Sequence, residues 1–246
     1  MIRQLRVQQG IVRGLPAADP RITAFKGIPF AKAPAGDLRF APPQPAPSWD
    51  GVRDCFAFAP VPIQPAAVES PAADDLYGKE WAVDPGLPMD EDCLYLNVWT
   101  PARRADERLP VYFWIYGGGW QVGNTAEMEF DGERIARRGI VVVTVNYRVN
   151  LFGFSCHPEI SASYPDAAAN FGLQDQQAAL RWVHDNIAAF GGDPENVTIG
   201  GQSAGGGSVA FHIGNPESSR YFKRAVIESG IFTNPFREVF PLPTLK

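Results

Sequence analysis

Gly201-Gln202-Ser203-Ala204-Gly205 sets one serine between two glycines, directly after the apolar run Val197-Thr198-Ile199 and directly before a helix-compatible stretch that begins at Ala204. A serine at a sharp strand-to-helix turn is held in a strained backbone conformation, and the flanking glycines keep neighbouring chain clear of it. Its hydroxyl then projects above the carboxyl edge of a sheet, where ligands bind in open α/β folds. The helix N-terminus aims unbonded N–H groups at the same point. The chemistry this suits is nucleophilic attack on a carbonyl, with a covalent intermediate on Ser203. Tyr116-Gly117-Gly118-Gly119-Trp120 supplies a second part, because a run of glycines presents consecutive backbone N–H groups to one point. A tetrahedral intermediate develops an oxyanion, and losing one donor to it typically costs about 3 kcal/mol of barrier. Neither G-x-x-x-x-G-K-[ST] nor G-x-G-x-x-G occurs, so the glycines do not form a phosphate cradle.

These residues need elements to hold them. Val111-Tyr112-Phe113-Trp114-Ile115-Tyr116, Ile140 to Tyr147, Val197 to Gly201 and Ala225 to Glu228 read as buried strands, and Leu94 to Trp99 alternates as a strand ended by Pro101. Asp131 to Arg138 suits a short helix. Leu173, Gln177, Leu180, Val183, Ile187 and Phe190 recur at three- and four-residue steps, one face of a helix over 171–190. Strands alternating with helices predict an α/β fold with a central, mostly parallel sheet. Fifteen of the 23 prolines fall at or before Pro101, so residues 30–90 are expected to be mostly irregular. The stretch 63–90 reads as a long, substrate-facing loop.

The 246 residues are 45% hydrophobic and 20% charged, enough for a sizeable core, and exclude overall disorder. The net charge is −5, and no basic run exceeds an arginine pair, which argues against nucleic acid as a partner. No apolar stretch approaches the ~18–20 residues of a membrane span, and the opening Met1 to Arg6 has no secretory apolar core. A cytoplasmic location is the expectation. Cys55, Cys93 and Cys156 show no C-x-x-C spacing and the three histidines no H-E-x-x-H, so no metal site is expected.

The chain resembles the type-B carboxylesterase and cholinesterase-like family of α/β-hydrolases. The marks are Phe25 to Phe30, Glu91-Asp92-Cys93-Leu94-Tyr95-Leu96-Asn97, Tyr116-Gly117-Gly118-Gly119, Asn146-Tyr147-Arg148, Phe190-Gly191-Gly192-Asp193-Pro194 and Gly201-Gln202-Ser203-Ala204-Gly205-Gly206. The resemblance implies an α/β-hydrolase fold with N-terminal antiparallel strands, of which residues 1–246 would be the N-terminal part. It implies a serine carboxylic ester hydrolase with Ser203 as nucleophile, Gly118, Gly119 and Ala204 as oxyanion donors, and no cofactor or metal. It places Ser229 behind the catalytic centre, pairs Glu91 with Arg148, and puts Trp120 on the wall of the substrate pocket. Trp81, Trp99 and the 63–90 loop are further candidates for that wall. Gln202 stands where many relatives carry Glu, which removes a negative charge beside the site. Cys93 lacks the upstream partner of secreted relatives and reads as a free thiol in a reducing compartment.

A serine hydroxyl needs a histidine to take its proton and an acid to orient that histidine. In this fold the chain order is Ser, acid, His, which excludes His157 and His184. His212 follows Ser203 on the same helix at roughly 13 Å of axial rise, against the ~3 Å of hydrogen-bond reach. Downstream carboxylates Glu217 and Glu238 read as surface charges, and Glu228 adjoins Ser229. The resemblance therefore assigns acid and base to a C-terminal segment beyond Lys246, as a second polypeptide or a later part of the same one. This chain alone would then be inactive, and its sheet would end at Ala225 to Glu228 with an unpaired apolar edge. Two alternatives stay open at this level: a catalytically silent binding or adhesion protein, and a serine hydrolase of amides or carbamates.

Overall fold

The computed structural model describes residues 1–65, 86–165 and 169–230. Within them the strands are β1 (Gln4–Val7), β2 (Gly10–Arg13), β3 (Leu15–Pro16), β4 (Thr23–Pro29), β5 (Val52–Asp54), β6 (Tyr95–Thr100), β7 (Leu109–Ile115), β8 (Val141–Val145), β9 (Gly192–Gln202) and β10 (Arg224–Glu228). The helices are α1 (Glu133–Ala136), α2 (Asn150–Phe154), α3 (Pro158–Ser163), α4 (Phe171–Asn186), α5 (Ala204–Gly214) and α6 (Pro216–Ser219). β1, β2 and β5 make a small sheet, and the other seven strands a larger one in the order β10-β9-β7-β8-β6-β4-β3.

β7, β8, β9 and β10 run parallel, with helices on the crossovers, while β6 pairs antiparallel with both β8 and β4 and β3 closes that end antiparallel. This is the α/β-hydrolase architecture, a mixed sheet flanked by helices. β8, Val-Val-Val-Thr-Val, is buried along its whole length because both of its faces are covered. On one face Val111, Phe113, Val143, Val197 and Ile199 meet Ala179, Leu180 and Val183 of α4 and the following Ile187 and Phe190. Each valine, leucine, isoleucine or phenylalanine side chain among them contributes about 1.5–3 kcal/mol on burial. On the other face α1 lies over a smaller cluster of Ile22, Ala24, Trp99, Ala136 and Val142. Trp99, a candidate pocket residue by its aromaticity, is therefore core: it is 1% exposed, because the alternation of β6 turns it onto α1.

The proline-rich stretch carries a single helical turn, Gly36–Leu38, and β5, and is otherwise irregular over its described part. Trp81 and most of the 63–90 loop, like Glu238, lie outside the described residues. Among the described residues β10 has one partner strand, β9, and all its residues but Ile227 are exposed.

Candidate active site

β9 delivers Ser203 at its end and α5 starts on the next residue, so the chain reverses its hydrogen-bonding habit within one peptide. Ser203 takes φ 54° and ψ −122°, a combination that costs an L-residue about 1–3 kcal/mol. What holds it is β10: the Ser203 N–H donates to Glu228 O at 2.8 Å. The glycines on either side let other chain come close. A methyl on Gly205 would overlap Ile115 O, and one on Gly206 would stand 2.9 Å from Gly230 Cα. α5 can therefore start flush against the ends of β7 and β10. The Ser203 side chain is half-buried and its hydroxyl has no hydrogen-bond partner among the described residues.

The glycine turn lies against this serine. A methyl on Gly117 would sit 3.1 Å from Ser203 Cβ and 2.7 Å from Gln202 O. Gly118 has φ +108° and Gly119 φ +63°, the former so close to Val122 O that no side chain fits. The N–H groups of Gly118 and Gly119 donate to nothing among the described residues, and Ala204, first in α5, has no helical carbonyl to receive its own. These amides lie on two segments that meet where Gly117 approaches Ser203. Gln202 is half-buried, with its side-chain oxygen beside Gly117. Ser229 is exposed, at φ +51°, immediately after the carbonyl that ties down Ser203.

Contacts that no motif announces pin this turn. Tyr116 and Tyr147 stack at 4.4 Å, Tyr116 Oη donates to Tyr147 O at 3.0 Å, and Tyr147 Oη donates to Tyr116 O at 2.9 Å. Gln64 clasps Gly123 at both ends of its amide, accepting from the Gly123 N–H at 2.8 Å and donating to Gly123 O at 3.0 Å. The Asn150 N–H donates to Trp120 O at 2.6 Å. None of these pairs is near in sequence, so no local pattern announces them.

The resemblance's ion pair between Glu91 and Arg148 is not formed. Arg148 is buried and grips Asp175 of α4 through Nε at 2.8 Å and Nη2 at 2.7 Å, with its backbone N–H on the same carboxylate at 3.1 Å. Glu91 is bound instead by Arg39, Nε to Oε2 at 2.6 Å. The reason is position: Asp175 lies fully buried beneath Arg148, whereas Glu91 stands nearer the surface, where the half-exposed Arg39 reaches it.

No histidine reaches Ser203. His157 caps α3 by accepting the Glu159 N–H, and His184 packs edge-on against Tyr221. His212 is buried between α4 and α6, Nδ1 3.0 Å from Ser218 Oγ and Nε2 3.0 Å from Gln176 Oε1. Burial pushes its imidazole down to about 4. An unfolded imidazole titrates near 6.5, so between those values protons favour the unfolded chain. Stability from His212 is therefore full above pH ~6.5 and is lost as pH falls toward ~4, by roughly 3 kcal/mol. Buried Glu127 is pushed up to about 7 by its own burial and acts in the opposite direction over much of that range. The comparison to make is thus wild type against His212→Asn, by urea unfolding at pH 7.5 and 4.5. The stability gap should shrink at the lower pH, and a pH-independent gap would refute a neutral buried imidazole.

All three cysteines are free, and burial pushes the Cys55 thiol up to about 12 and Cys93 higher still. Among the described residues no group of histidine, cysteine or carboxylate side chains is arranged to hold a metal, and no helix is long and apolar enough to cross a membrane.

The sequence matches the model of the Carboxylesterase family over residues 2–239. It is 42% identical over 241 residues to a cholinesterase of Mus musculus, covering 96% of this chain and 38% of that protein. It is 39% identical over 231 residues to a fumonisin B1 esterase of Sphingopyxis macrogoltabida, covering 93% and 40%. Among solved structures it superposes on a Geobacillus stearothermophilus carboxylesterase with a TM-score of 0.76 at 42% identity, over 92% of this chain and 44% of that one. A structure described as PNB esterase gives 0.79 at 37% identity, over 94% and 44%. The chain spans about two fifths of the length of these relatives.

Proposed function

The chain belongs to the carboxylesterase family, and from that premise we propose that it carries the nucleophile and oxyanion donors of a serine hydrolase acting on small carboxylic esters. Ser203 Oγ attacks the ester carbonyl. The amides of Gly118, Gly119 and Ala204 receive the oxyanion, and collapse of the intermediate expels the alcohol and leaves an acyl group on Ser203. Water then attacks the acyl-enzyme, and the acid product leaves through the same intermediate geometry. The proton that Ser203 loses must go to a histidine, and no histidine of this chain is placed to take it. On this reading the histidine and its orienting acid come from a C-terminal segment outside residues 1–246.

One observation carries the reading: a serine held at φ 54° by a neighbouring strand, its hydroxyl without a hydrogen bond among the described residues, beside a turn in which the Gly118 and Gly119 amides donate to nothing among them. A serine kept for structure would use its hydroxyl. The three free thiols support a reducing, cytoplasmic setting. The test is labelling of the whole protein with a fluorophosphonate, followed by peptide mapping. The adduct should sit on Ser203 and abolish p-nitrophenyl acetate turnover. Turnover that survives complete labelling, or an adduct elsewhere, would reject the assignment.

A further inference from the structure

We propose that Ser208 and Trp120 form a positioning pair that fixes the oxyanion turn against the nucleophile helix. The proposal rests on the ester-hydrolase reading and extends it to two residues outside the reacting groups.

Trp120 follows Gly119 directly and holds φ +59°, a left-handed conformation unfavourable for a bulky side chain. Something must hold it there. Its carbonyl takes the Asn150 N–H, its ring packs against Phe154 and Phe211 at 6.1 and 6.4 Å, and its indole Nε1–H donates to Ser208 Oγ at 3.1 Å. Ser208 is fully buried in α5, one turn beyond Ala204. A hydroxyl has one proton and two lone pairs, and all three are used here. The proton goes to Ala204 O at 3.0 Å, and the lone pairs accept from Trp120 and from Gln176 Nε2 at 3.2 Å.

The chain of bonds fixes its own direction. Gln176 gives its amide N–H to Ser208, so its Oε1 accepts from His212 Nε2–H, and His212 Nδ1 accepts from Ser218, which itself accepts from Gln177 at 3.0 Å. Every polar atom in this buried run is satisfied in one polarity. Ser208 is therefore a fixed acceptor that cannot swing away from Trp120 without leaving a buried group unbonded, which is costly. One hydroxyl thus ties the segment bearing Gly118 and Gly119 to the segment bearing Ser203 and Ala204. An error of about 1 Å in such donors is enough to cost up to ~100-fold in rate.

The experiment uses the whole protein with p-nitrophenyl acetate as substrate and an aryl trifluoromethyl ketone as oxyanion-forming inhibitor. Trp120→Phe removes the indole N–H and leaves a smaller aromatic ring between Phe154 and Phe211. It should lower kcat about tenfold with KM within about twofold of wild type, and weaken the ketone by about the same factor as kcat. Ser208→Ala should match it, Ser208→Thr should restore most of the rate, and the double variant should be no slower than the slower single one, because both break the same Trp120–Ser208 bond. Wild-type kcat and ketone affinity in Trp120→Phe would overturn the proposal, as would additive losses in the double variant. Because Trp120→Phe leaves Ser208's bonds to Gln176 and Ala204 in place, the test does not depend on Ser208→Ala folding. Failure here with Ser203 still labelled leaves the hydrolase reading intact, whereas loss of Ser203 labelling in the wild type removes both.

Discussion

Ser203→Ala should lower kcat for p-nitrophenyl acetate by about 10⁴-fold or more while leaving the fold intact. The size follows from losing the covalent route altogether, which leaves only binding and the oxyanion donors to accelerate attack by water. The fold survives because the hydroxyl makes no hydrogen bond among the described residues, and the bond that fixes the turn, N–H to Glu228 O at 2.8 Å, belongs to the backbone. Alanine keeps the strain at φ 54°. Glycine would relieve it, so Ser203→Gly should be equally inactive yet about 1 kcal/mol more stable, the strain outweighing glycine's added freedom when unfolded. Parallel thermal melts and turnover assays on the two variants check both halves. Wild-type turnover in Ser203→Ala would end the nucleophile assignment. A glycine variant less stable than the alanine one would show that the turn is not strained.

That prediction uses the part of the molecule most legible in the letters. The nucleophile turn is local: five residues, a strand before and a helix after, and the structure puts β9 and α5 where the pattern requires. The parallel strands were equally readable, because a strand buried on both faces must be nearly all apolar, as Val141–Val145 is. The buried face of the helix over 171–190 is partly rotated from the apolar stripe. From Leu180 onward the stripe is buried, but Leu173 and Gln177 are only half-buried, while Asp175 and Gln176 lie inside. A periodicity argument discards an aspartate from an apolar face, and here that aspartate answers a buried arginine from another segment. Trp99 differs for a related reason: its aromaticity suits a pocket wall, and only the pleat of β6 decides which way it points. The pins of the glycine turn, Gln64, Tyr147 with Asn150, and Ser208, come from three separate segments. What joins them is a set of distances, which one dimension does not contain.

The largest stability effect belongs to the pair that the resemblance misplaced. Asp175→Ala should destabilise the protein by about 3–5 kcal/mol, because it leaves the Arg148 guanidinium buried with its charge uncompensated. Asp175 is fully buried and receives three N–H groups of Arg148, while Arg148 Nη1 donates to Ala41 O at 2.9 Å. Against a typical total stability of 5–15 kcal/mol that loss lowers the melting temperature by about 10 °C. Removing both charges is a different matter. Asp175→Leu combined with Arg148→Met should recover much of the loss, since the desolvation of both ions disappears with them. Glu91→Ala, by contrast, breaks a pair whose arginine is half-exposed and should cost no more than about 1 kcal/mol. Thermal melts of the three variants separate the two pairings: a large effect at Glu91 with a small one at Asp175 would restore the pairing first expected. The consequence reaches the site, because Arg148 follows Tyr147, whose hydroxyl holds Tyr116 O at the entrance to the glycine turn. Asp175→Asn, which keeps the shape and loses the charge, should therefore lower kcat in the fraction that stays folded, with KM less affected, as a displaced oxyanion turn requires.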